Sequence, residues 1–260
     1  MAAPALNPTS RRSDVIRWTY AFIDRPAPTV GLARAFWTEV TGTHESVPWG
    51  DRGEFTTLLP DEADGADACL TVQAVGGAGG AHPDLAVEDL PAFTARATEL
   101  GAVVEARKPE LNVLRSPGGQ RFCVVPWRGQ KARPPVLAAQ GGPENRLDQL
   151  CLDVAPAAFD AEVAFWADLT GWESTPGNHK EFHVLRPHLD LPVHLLLQRL
   201  DEARPASAHL DIACPDLAAG QAWHERCGAT LVRRGPAWTV LRDPAGGVYC
   251  LTRRDPVTGD

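Results

Sequence analysis

Apolar residues return every three or four positions in four stretches, Val30–Thr41, Leu90–Leu100, Phe159–Thr170 and Leu217–Cys227, a spacing that predicts amphipathic helices. A glycine follows each one, at Gly42, Gly101, Gly171 and Gly228, as a left-handed helix C-cap requires. Shorter alternating or apolar runs, Trp18–Ile23, Phe55–Leu59, Cys69–Gln73, Phe182–Leu185 and Val193–Gln198, predict strands.

These elements repeat. Ala35-Phe36-Trp37-Thr38-Glu39-Val40-Thr41-Gly42 recurs as Ala164-Phe165-Trp166-Ala167-Asp168-Leu169-Thr170-Gly171, and Glu54-Phe55 recurs as Glu181-Phe182. The stretch from His82 to Asp89 answers that from His209 to Asp216, and Val113–Cys123 answers Val240–Cys250. A repeat of this length is read before any single element, because it sets the architecture. Each copy reads strand, helix, three strands, and then the same again, which predicts an α+β fold of tandem modules, each built of two βαβββ units curling around a cleft.

The expected organisation is an N-terminal segment over 1–14 without order, a first domain over 15–128, a Pro-, Gly- and Ala-rich linker over 129–143, a second domain over 144–255 and a tail over 256–260.

With FW-x(4)-G closing the first helix, H-x-D-[LI] opening the second half and [SD]-P-x-G-x(3)-C near its end, each copy resembles the vicinal-oxygen-chelate superfamily. The resemblance is to its glyoxalase-like and bleomycin-resistance-like members, in the tandem form found in high-GC, actinobacterial genomes. It implies a cleft whose inward strand positions hold a divalent metal in some members and a drug or other small molecule in others. It carries those positions onto Arg17, Gln73, His82 and Cys123 in the first copy, and onto Gln149, Gln198, His209 and Cys250 in the second.

Neither set is the His and Glu constellation that the resemblance implies for a metal. A guanidinium such as Arg17 has no lone pair to give, which argues for a metal-free first cleft. Imidazole and thiolate at His209 and Cys250 suit a divalent ion, whereas Gln149 and Gln198 are weak donors. The expectation is therefore a protein without a metal cofactor that binds or sequesters an aromatic or apolar organic ligand. The alternative is a lyase, isomerase or dioxygenase using zinc, iron, manganese or nickel at Gln149, His209 and Cys250.

Each candidate has a plainer reading. His82 and His209 open strands, where a ring bonded to a neighbouring carboxylate or backbone group is a sufficient account. Asp84 and Asp211 share a strand face with those histidines, so each pair is either an orienting carboxylate with its ring or a solvent-side contact. Cys123 and Cys250 read equally as small core residues. Trp37 and Trp166 belong to the core, while Trp18, Trp172 and Trp238 are candidates to stack on a ligand. Arg17 needs a carboxylate from the protein or an anionic group from a ligand.

Composition trims the remaining options. The chain of 260 residues is 44% hydrophobic and 22% charged, enough for two cores. A net charge of -8 without a basic stripe argues against a nucleic-acid partner. Six unpaired-looking cysteines, and the lack of an apolar leader or span, point to the cytoplasm and away from a membrane. A monomer with its two copies paired within the chain and a homodimer are both compatible with the repeat.

Overall fold

The computed structural model describes residues 16–138, 142–188 and 190–259. The segment 1–14 and residues 139–141 of the expected linker lie outside the described residues. The first domain runs β1 (Ile16–Pro26), α1 (Val30–Thr41), β2 (His44–Glu45), β3 (Phe55–Leu59), β4 (Leu70–Val75), β5 (Gly80–Val87), α2 (Leu90–Glu99), β6 (Val103–Lys108), β7 (Leu111–Arg115) and β8 (Arg121–Pro126). A two-residue strand within the expected linker, β9 (Leu137–Ala138), pairs with the first strand of the second domain. That domain runs β10 (Glu144–Val154), α3 (Phe159–Thr170), β11 (Glu173–Pro176), β12 (Phe182–Arg186), β13 (His194–Arg199), β14 (Ser207–Ala213), α4 (Leu217–Arg226), β15 (Thr230–Arg234), β16 (Trp238–Arg242) and β17 (Val248–Thr252).

Four βαβββ units result, as the repeat predicts. In each the last strand lies parallel to the first, a pairing that the helical crossover makes possible: β1 with β4, β5 with β8, β10 with β13, and β14 with β17. Two units join antiparallel along their first strands, giving the sheet order β2-β3-β4-β1-β5-β8-β7-β6 and its counterpart β11-β12-β13-β10-β14-β17-β16-β15. Helices α1 and α3 end at Gly42 and Gly171, both in the left-handed region with φ of 61° and 65°. Asp89 and Asp216 cap α2 and α4 by accepting from backbone N–H groups of the first turn.

One apolar cluster runs through both domains. Its centre is a pair of crossed aromatic contacts. The α1 rings of Phe36 and Trp37 pack against Tyr249 of β17, at 5.7 and 5.1 Å between centroids, and the α3 rings of Phe165 and Trp166 pack against Phe122 of β8, at 6.1 and 4.9 Å. Each helix therefore seals the other domain's sheet, and burying rings of this size contributes on the order of 2–3 kcal/mol apiece. Trp37 and Trp166 are fully buried, as the sequence leads one to expect. The domains also meet where the Thr19 hydroxyl donates to the Val193 carbonyl and accepts from its N–H. No helix among the described residues is long and apolar enough to cross a membrane.

Candidate ligand-binding site

Strand alternation sorts each first strand into a core face and a cleft face. On β10, Leu150, Leu152 and Val154 enter the apolar cluster, while Gln149, Cys151 and Asp153 point the other way. On β1 the same period sends Ala21 and Ile23 into the core and leaves Tyr20, Phe22 and Asp24 facing the cleft side. The ladders confirm the match: Tyr20, Phe22 and Asp24 lie opposite Asp84, His82 and Gly80, and Gln149, Cys151 and Asp153 lie opposite Asp211, His209 and Ser207.

Both clefts are thus built around one histidine between two aspartates. In the first domain His82 Nδ1 lies 2.8 Å from Asp24 Oδ2, and its Nε2 lies 3.4 Å from Asp84 Oδ1. In the second, His209 Nδ1 lies 3.4 Å from Asp153 Oδ1 and Nε2 lies 3.5 Å from Asp211 Oδ1. Ser207 Oγ donates to the other oxygen of Asp153 at 2.9 Å. The next strand brings a thiol, since Cys123 lies opposite Asp84 and Cys250 opposite Asp211.

This packing moves the proton equilibria. Burial works against a charge on His82, but the hydrogen bond and charge of Asp24 outweigh it and raise its pKa. The pKa of His209 also rises against burial, and the bond to Asp153 acts in that direction. Burial pushes Asp84 and Asp211 up to about 6. It also raises the thiols of Cys123, Cys151 and Cys250, which favours their neutral form.

The second cleft opens into a cavity of about 860 Å³. Phe182, Val184, Leu196, Trp238 and Val240 give it apolar walls, and Gln149, Gln198, His209, Asp211 and Cys250 line its polar side. Trp238 stands edge-on to Phe182 at 5.6 Å. Arg25, Gly80 and Ala81 of the first domain also line it, and Lys180, Arg186, Arg199, Arg204, Arg233 and Arg254 make much of its wall basic.

The expected site residues divide. The structure brings Gln149, Gln198, His209, Cys250 and Trp238 to this cavity, and sets Gln73, His82 and Cys123 on the corresponding strands of the first domain. Arg17 requires correction. It sits at a bulge between Ile16 and Trp18, its guanidinium pairs with Glu88 at 3.4 Å and lies 4.8 Å from the Trp127 ring, and Tyr20 occupies the register position expected for it. A protein carboxylate meets its charge, and it no longer bears on whether the first cleft takes a metal. Trp18 and Trp172 are also corrected: both are buried in the apolar cluster, with Trp18 Nε1 donating to the Ala68 carbonyl. Two carboxylates, Asp153 and Asp211, also line the cavity.

Asp24, Asp153, Phe22 and Cys151 escape a reading by motif alone. The signal that finds them is the repeat offset of the first strand and helix: Phe165 follows Phe36 by 129 positions, and the same step carries Tyr20, Phe22 and Asp24 onto Gln149, Cys151 and Asp153.

The donors fit a divalent ion. His209, Asp211 and Cys250 place one nitrogen, one oxygen and one sulfur within 4.8 Å of each other, and His82, Asp84 and Cys123 do the same. Asp211 Oδ1 and Asp84 Oδ1 are buried and lack a hydrogen-bond partner among the described residues. A separation of 3.4–3.5 Å from the histidine nitrogen is long for a hydrogen bond. It is close to the ~3.4 Å between neighbouring ligands of a tetrahedral ion with bonds near 2.1 Å. Gln149 lies beside this group, opposite Asp211.

Fold, repeat and paired clefts define a class. The glyoxalase-like domain family matches residues 21–125 and 149–252, and the chain belongs to that family, within the vicinal-oxygen-chelate superfamily. No curated protein sequence matches it significantly. Among solved structures it is similar to the Mn(II)-bound glyoxalase from Novosphingobium aromaticivorans, at 17% identity over 95% of this chain and 85% of that one, TM-score 0.64. It is likewise similar to a variant of homoprotocatechuate 2,3-dioxygenase from Brevibacterium fuscum, at 17% identity over 97% and 75% of the two chains, TM-score 0.65. The 2,3-dioxygenase LapB from Pseudomonas sp. KL28 matches at 13% identity over 93% of both chains, TM-score 0.60. At these identities the likeness is one of fold.

Proposed function

We propose that the second-domain cleft binds a small organic molecule. The observation that carries this is the 860 Å³ cavity with apolar walls converging on His209, Asp153 and Asp211. A volume of that size suits a drug-sized ligand, and the polar and charged groups of its lining would orient it. Asp153 and Asp211 stand beside the two ring nitrogens of His209 and orient the ring as one wall of the cleft.

A second reading, favoured by the Asp211 oxygen that is buried without a hydrogen-bond partner among the described residues, is a metal-dependent lyase, isomerase or dioxygenase reaction in the same cleft. His209, Asp211 and Cys250 would hold the ion, and Asp153 would orient the histidine through its other nitrogen. The bound ion would supply Lewis-acid polarisation of ligand oxygens.

One experiment tests both. Protein purified without chelator or affinity tag is assayed for metal, then titrated with the fluorescent aromatic probe 1-anilinonaphthalene-8-sulfonate, following Trp238→Phe alongside the wild type. Saturable binding weakened by Trp238→Phe, with no bound metal, is the expected result. About one ion per chain, lost in His209→Ala and in Cys250→Ala, favours the metal reading. Absence of both saturable binding and metal overturns both.

A further inference from the structure

The two clefts share their strands and their His-Asp-Cys group but differ at one decisive position. The residue directly opposite the cleft histidine is Phe22 in the first domain and Cys151 in the second. The Phe22 ring lies flat on the His82 imidazole, with centroids 4.9 Å apart and planes at 26°. Its edge meets Phe55 at 6.1 Å and 86°. Phe22 is buried yet stands outside the continuous apolar cluster, so it packs the cleft rather than the core.

In the second domain the same neighbours are present without the ring. His209 corresponds to His82, and Phe182, opposite Gln198, corresponds to Phe55, opposite Gln73. Both His209 and Phe182 line the 860 Å³ cavity, as does Cys151, whose short side chain fills less of the space beside His209 than a phenyl ring would. An aromatic ring belongs to this arrangement of faces and edges, and in one copy the chain supplies it.

We infer that Phe22 marks the place of the ligand: the second cleft takes a planar aromatic ring stacked on His209 with its edge toward Phe182, and the first cleft is closed by its own side chain. This rests on the binding reading above and adds the ligand's class and position. Asp211 Oδ1, buried without a hydrogen-bond partner among the described residues, offers an acceptor to an O–H or N–H substituent on the ring.

The test uses phenol and its saturated analogue cyclohexanol, with NMR of the histidine ring protons in the full chain. Phenol should shift the His209 ring protons saturably upfield and bind more tightly than cyclohexanol. Cys151→Phe should abolish that shift, and Phe22→Cys should create a second saturable shift at His82 while leaving the His209 response intact, which also shows that the variant is folded. If cyclohexanol binds in the cleft as tightly as phenol, or if Cys151→Phe still binds phenol, the aromatic assignment fails while the binding reading stands. If neither probe nor 1-anilinonaphthalene-8-sulfonate binds, the binding reading fails and takes this inference with it.

Discussion

Trp37, on the first helix of the first domain, donates its indole N–H to Asp243 of the second domain at 3.1 Å, deep inside the protein. Its repeat partner Trp166 has the same need but meets it differently, donating at 2.8 Å to Glu162 one turn earlier on its own helix. Where the second domain has Asp243 in its turn, the first has Ser116, whose hydroxyl donates to Glu162. Glu162 also accepts from the Gly118 N–H at 2.6 Å. The carboxylate has moved from the turn to the helix, and the position of Glu162 is held in the other copy by Ala33, which makes room. Both arrangements tie one domain to the other through a buried acceptor.

Asp243 also holds the Arg25 guanidinium, which donates to it from Nε at 2.9 Å and from Nη2 at 2.6 Å with both side chains almost fully buried. Replacing Asp243 by Ala strands a buried cation and an indole N–H. A loss of about 3–5 kcal/mol follows, which lowers Tm by on the order of 10 °C in a chain of this size. Differential scanning calorimetry measures it; a change under about 2 °C would mean that the pair contributes little beyond its own desolvation.

The stability of the second cleft should depend on pH through Asp211. Its pKa lies at about 6 in the folded protein against an ordinary 3.8, so the folded state favours the neutral carboxyl. The stabilisation from proton binding is complete below 3.8 and is lost as pH rises toward 6. Asp211→Asn, which fixes a neutral group, should therefore gain on the wild type as pH rises from 4 to 6 and then level off, by about 2–3 kcal/mol at most. Urea unfolding at pH 4, 5, 6 and 7.5 reads this directly. A difference that stays constant across that range would refute the raised pKa.

Thiol reactivity should follow burial. All six thiols have raised pKa values, but Cys227 is half-buried while Cys69, Cys123, Cys151, Cys214 and Cys250 are buried. Native protein at pH 7.5 should be alkylated by iodoacetamide first at Cys227, with the others reacting only on unfolding. Peptide mass mapping over time identifies the order. Fast modification of Cys250 would show a thiolate facing the cavity and would favour the metal reading.

The chain's repeat and hydrophobic periods were enough to determine four βαβββ units, their helices to within a residue, and two tandem clefts, because those features depend on local spacing and on which face of an element is apolar. His209, Cys250 and Gln149 were also visible from motif position. Three matters depended on tertiary structure. The bulge beside Ile16 turned Arg17 out of the cleft, and one-residue irregularities of that kind leave no mark on an alternation pattern. Tertiary packing decided that Trp18 and Trp172 are core, since a tryptophan's surroundings depend on residues distant in sequence. Cross-strand register set Asp24 and Asp153 beside the histidines and Phe22 over one of them, a choice made by strands that meet only after the sheet has closed.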